Sequence, residues 1–95
     1  MARYVKDGQY AVSGHQFITS LSSAVTLTVP AGASGVLIQA ETKDIRYRAD
    51  GTAPTAAVGM LIPAGEERYL PLETLSHVKI IETEASAKAN VMYVA

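Results

Sequence analysis

Apolar and polar residues alternate most cleanly at Val25-Thr26-Leu27-Thr28-Val29, where Val25, Leu27 and Val29 fall on one side and the two threonines on the other. A period of two is the signature of a half-buried strand. Pro30-Ala31-Gly32-Ala33-Ser34-Gly35 ends this segment in a loop. Val36-Leu37-Ile38-Gln39-Ala40 follows, and its three consecutive apolar residues predict a strand covered on both faces, either by the second sheet or by another subunit. After a turn at Thr42-Lys43-Asp44, Ile45 and Tyr47 point one way and Arg46 and Arg48 the other. Asp50-Gly51 then breaks the chain, because glycine takes positive φ at no steric cost and aspartate bonds its own backbone. Pro54 cannot donate to a ladder, so residues 52–57 read as a loop. Gly59-Met60-Leu61-Ile62 resumes as a strand that Pro63-Ala64-Gly65 ends.

Further strands are expected at residues 16–20, at 68–72 with Pro71 interrupting, at 78–83, and at 90–94. Residues 72–76 read as irregular. Residues 84–88 form a turn rich enough in alanine to hold a single helical turn, too short for a stable helix. Residues 1–15, with Gly8 and Gly14, read as an extended arm with a short strand around residues 9–12. The echo of Val-Pro-Ala-Gly at 29–32 and Ile-Pro-Ala-Gly at 62–65 reflects shared turn chemistry rather than duplication. Seven or eight short strands with turn signals between them, and no sustained helical period, predict an all-β fold: one compact antiparallel β-sandwich or jelly-roll-like barrel over residues 16–95, preceded by the arm.

The length of 95 residues fits one domain, of a size that gains stability from a partner. Hydrophobic residues are 48% and charged residues 18%, below the usual quarter, so an exposed apolar surface is expected, and such surfaces mark interfaces. The net charge is −1 and the basic residues are scattered, which argues against nucleic acid, whose binding needs clustered cations. No cysteine is present, so disulfides and cysteine metal sites are excluded. No apolar run approaches the roughly 20 residues of a membrane helix, and the first residues lack the apolar core of a signal peptide. A chain made and kept in a cytosol, unless a particle carries it out, is the expectation.

Candidate chemistry is sparse. His15 and His77 have no ligand partner at metal-site spacing. Glu41 and Asp44 flank one turn and form a conceivable carboxylate pair, but without tryptophan there is no sugar-stacking platform. No nucleophile elbow, phosphate loop or dinucleotide fingerprint occurs. No catalytic, cofactor or metal site is therefore expected, and no enzyme. The candidates are interface residues. Arg46 and Arg48 share a strand face ~7 Å apart, suited either to cross-strand acids or to an intersubunit salt bridge. Tyr4, Val5 and Tyr10 in the arm, and Tyr69, are candidate anchors on another chain.

The Leu27-Thr28-Val29-Pro30-Ala31-Gly32 strand exit, the apolar strand at 36–39, the Asp44-Ile45-Arg46-Tyr47 strand and the loop Asp50-Gly51-Thr52-x-Pro54-Thr55-x-x-x-Gly59 together resemble small virion proteins of tailed bacteriophages. The resemblance covers about residues 25–94 and leaves out the arm. It implies a β-sandwich structural protein of the particle, with no catalytic residues to carry over. On that basis the expected role is a capsid decoration (cement) protein on the head surface, a homotrimer that bridges subunits of the major capsid protein. A neck or tail ring protein is the alternative, and a carbohydrate- or receptor-binding module with residues 52–57 at its tip is a third reading.

Overall fold

The computed structural model describes residues 12–71 and 77–94, which form eight strands in two four-stranded antiparallel sheets. The front sheet has the order β1 (Val12–Ile18), β8 (Lys88–Val94), β3 (Gly35–Glu41), β6 (Glu67–Pro71). The back sheet has the order β2 (Val25–Thr26), β7 (Lys79–Glu82), β4 (Ile45–Arg48), β5 (Met60–Ile62). Pairing is nested: β1 with β8, β2 with β7, β3 with β6 and β4 with β5. The chain is one long hairpin turned at the β4–β5 loop and rolled up, and the β3–β8 and β4–β7 ladders complete each sheet. This strand order is that of a jelly roll.

Period-two burial builds the core. Val36, Ile38 and Ala40 of β3 and Ala89, Val91 and Tyr93 of β8 point inward from the front sheet. They meet Ile45, Ile62 and Ile80 of the back sheet, with Val78 just ahead of β7, and all are buried. Leu37 lies on the opposite side of β3 and is half-buried, so among the described residues the front sheet is covered on one face by the back sheet and open on the other.

Several boundaries differ from the sequence expectation. The first strand begins at Val12, inside the segment read as an arm, and ends at Ile18, leaving Thr19 and Ser20 exposed. Tyr4, Val5, Tyr10 and most of the strand expected near residues 9–12 lie outside the described residues. The strand expected at 25–29 pairs over Val25–Thr26 alone, followed by one bond from Leu27 N to Val78 O of 3.1 Å. Its alternation still sets burial, with Leu27 inside and Thr28 outside, but the chain departs toward Pro30 to cross to the front sheet, where Ser34 N donates to Val94 O at 2.6 Å. Pro71 belongs to β6, and Leu72 and the irregular segment expected at residues 72–76 lie outside the described residues. The alanine-rich segment after β7 is a turn, not a helical one, with Ser86 at φ 78°. The Thr42 hydroxyl, itself at φ 68°, donates to Ser86 O at 2.7 Å and ties two turns together.

Candidate interaction surfaces

Strand register lays out the open face of the front sheet in rows. His15, Met92, Leu37 and Tyr69 form one row across β1, β8, β3 and β6. Phe17, Asn90, Gln39 and Glu67 form the next, and Lys88 opposite Glu41 begins a third. Phe17 is 52% exposed and Tyr69 46%, while Leu37 and Met92 are half-buried between them. Asn90 is the polar centre: its Nδ2 donates to Glu41 Oε2 at 2.6 Å and to Gln39 Oε1 at 3.3 Å, and its Oδ1 lies 3.2 Å from His15 Nε2. A shallow groove of about 140 Å³ runs between His15, Leu37, Met92 and Glu67. The Tyr69 ring lies over Gly35, whose missing side chain makes room for it: a Cβ there would overlap the ring.

Behind this face, the Tyr93 hydroxyl donates to Gln16 Oε1 at 2.5 Å. Burial pushes the Tyr93 phenol up to about 12, against a smaller opposing effect of the Thr28 backbone.

The second surface lies at the β4–β5 end. Arg46 donates from Nε to Ala56 O at 3.1 Å and from Nη1 to Gly59 O at 2.8 Å. Pro54 is buried, and Thr55 Oγ1 accepts the N–H groups of Ala57 and Val58 at 3.2 and 3.0 Å. Gly59 sits at φ 141°, in a space where a Cβ would come within 3.1 Å of Tyr47 O. Asp50 caps the start of the loop: its Oδ1 accepts Thr52 N at 3.2 Å, and Arg48 holds both of its oxygens, from Nε at 3.1 Å and from Nη2 at 2.5 Å. The Arg48 hydrogen bond, then that of Thr52, hold the Asp50 carboxyl down at about 2. The loop thereby exposes Val58 (53%) and Met60 (63%) beside an open depression of about 560 Å³ lined also by Tyr47 and Ala49.

No family model, curated protein or solved structure matches this chain.

Of the interface residues expected from sequence, Tyr69 stands exposed on the front face. Arg46 and Arg48 are partly buried. Both fold onto their own chain, because the loop that follows β4 offers carbonyls and a carboxylate within reach. Neither meets a cross-strand acid; the register neighbours of Arg46 are Leu61 and Ile81. Glu41 and Asp44 are also apart in role: Glu41 accepts from Asn90, while Asp44 Oδ1 accepts Ala64 N at 2.8 Å. His15 lies on the front face and His77 beside β7, and no group of three metal-ligating side chains occurs among the described residues. No helix among them is long and apolar enough to cross a membrane.

Phe17, Leu37, Met92, Val58 and Met60 were not singled out by sequence. The signal for Leu37 and Met92 was present: once Val36, Ile38, Val91 and Tyr93 turn inward, period two forces both of them out. Nothing comparable marks Val58, whose exposure depends on how Arg46 folds the loop.

Proposed function

We propose that this chain is a structural protein of a bacteriophage particle, a decoration (cement) protein that sits on the outside of the head and bridges neighbouring shell subunits. One observation carries the reading. Exposed apolar side chains stand on both sheets, Phe17 and Tyr69 on the two edge strands of the front sheet and Val58, Met60 and Leu61 at the β5 edge of the back sheet. A bridging protein needs two contact surfaces on one rigid body, and contiguous exposed apolar patches mark contact sites. The resemblance of the loop at residues 50–59 to small phage virion proteins supports the particle setting, with the host cytoplasm as site of synthesis. Burial of such patches stabilises at roughly 25 cal/mol per Å², which would hold shell subunits together against the pressure of a packed genome. The partners are then the major shell protein and further copies of this chain, with no nucleic acid and no membrane.

The test is co-sedimentation of the purified chain with heads that lack it. Saturable binding is expected, weakened at least tenfold by Met60→Glu with Val58→Glu, which leave the core untouched. Absence of binding to heads but binding to isolated necks or tails would move the chain to an accessory ring, and binding to neither would end the virion reading.

A further inference from the structure

The two central strands of the front sheet, β8 and β3, carry matched chemistry in three successive rows of their open face. Met92 stands opposite Leu37, apolar against apolar. Asn90 stands opposite Gln39, amide against amide, and Lys88 opposite Glu41, base against acid. A two-fold axis running between these strands and parallel to them exchanges their positions. It lays β8 of one copy over β3 of the other, at the ~10 Å spacing of stacked sheets. Under that operation every row remains complementary: Met92 meets Leu37, Asn90 meets Gln39, and Lys88 meets Glu41 twice, once on each side of the axis. The charges of the face divide in the same sense. Lys88 lies on the β1–β8 half, and Glu41 and Glu67 on the β3–β6 half.

We propose that the open face of the front sheet binds a second copy of this chain, forming an isologous dimer through β8 and β3. An isologous contact requires a self-complementary patch, and the two central strands of this face form one by register, while on the outer strands the same axis sets Tyr69 against the partner's His15 and Phe17 against the partner's Glu67. The exposed Phe17 and Tyr69 flank the paired strands and are covered at the rim. The dimer closes on itself, unlike the trimer expected from the resemblance. In the dimer the second copy covers the front face, so the two shell contacts of a bridging unit are the Val58 and Met60 surfaces, one on each copy. The pairing stands on the face itself and is measured in solution without any particle, so its failure and that of the virion reading are separate results.

The experiment is light scattering on the full chain across a concentration series. The expected mass is twice the 10.0 kDa of one chain. Leu37→Lys, at a half-exposed position, weakens the dimer at least tenfold with an unchanged circular dichroism spectrum. Lys88→Glu and Glu41→Lys each place like charges across the axis and also weaken it. Mixing those two variants restores dimers, because each position then meets its opposite in the other chain. That recovery is specific to the two-fold pairing and does not depend on whether Leu37→Lys folds. A mass that stays at one chain throughout, an oligomer untouched by the charge reversals, or variants that fail to recover on mixing would each overturn the proposal.

Discussion

Tyr69 of β6 covers the bare backbone of Gly35 on β3, so that the aromatic ring takes the place of the side chain that glycine lacks. The arrangement joins local sequence to the proposed surface: a small residue on one strand is what lets an exposed aromatic lie flat at the sheet edge. An added methyl at Gly35 would displace the ring, since the overlapping atoms belong to a side chain free to swing outward. Gly35→Ala is expected to cost about 1 kcal/mol by urea unfolding, within the usual range for overpacking. In a Tyr69→Ala background the same change is expected to cost nothing. A double-mutant cycle measures that coupling.

Arg46 holds the loop after β4 through two different nitrogens at 3.1 and 2.8 Å. Lysine has one compact ammonium and cannot reproduce this fork. Arg46→Lys is expected to lower stability by about 1–2 kcal/mol, in line with hydrogen bonds from a charged donor, and to speed protease cleavage within residues 52–58. The ratio of loop cleavage to global unfolding separates a released loop from a general loss of stability.

Much of the fold was legible because burial follows alternation. Leu27 and Ile45 announce their inward side by alternation, and both are in the core, whereas the run Val36-Leu37-Ile38 reads as covered on both faces and only Val36 and Ile38 are buried. The all-β class and the strand-turn punctuation at Pro30, Gly51 and Pro63 follow from the same local rules. The order of strands was not legible, since nested pairing of β1 with β8 or β2 with β7 depends on contacts far apart in sequence. The short extent of β2 was not legible either: Val25 to Val29 alternates perfectly, yet the ladder stops where the chain crosses between sheets. At the candidate surfaces, Tyr69 was singled out from sequence and is exposed on the front face. Arg46 and Arg48 were legible as sharing a strand face, but the loop carbonyls and the Asp50 carboxylate they reach were not, because a strand pattern shows which face a side chain leaves from and not what it then touches.

The Arg48–Asp50 pair sets an acid-range prediction. Asp50 is held at about 2 in the fold against 3.8 when free of its partners. A carboxylate with a depressed folded value contributes stability above its unfolded value and loses it as pH falls through the folded one. The contribution is therefore complete above pH 4 and disappears as pH drops toward 2. A carboxyl-carbon NMR titration is expected to place the Asp50 midpoint near 2, and Arg48→Gln to return it toward 3.8.

Tyr93 makes the opposite prediction at alkaline pH. Its buried phenol is raised to about 12 from 10.0, so the fold favours the neutral form. That stability is intact below pH 10 and is lost as pH rises toward 12. Tyr93→Phe removes the bond to Gln16 and is expected to cost about 1 kcal/mol at neutral pH. It should also flatten the stability loss between pH 10 and 12, and remove a titration step near 12 from the absorbance titration.

The central claim, that this chain is a structural part of a phage particle, is tested most directly by its copy number in purified particles, measured by quantitative mass spectrometry against the major shell protein. Decoration predicts a fixed, large fraction of the number of shell subunits. A handful of copies per particle would place the chain at the neck or tail instead, and its absence from purified particles would contradict the account.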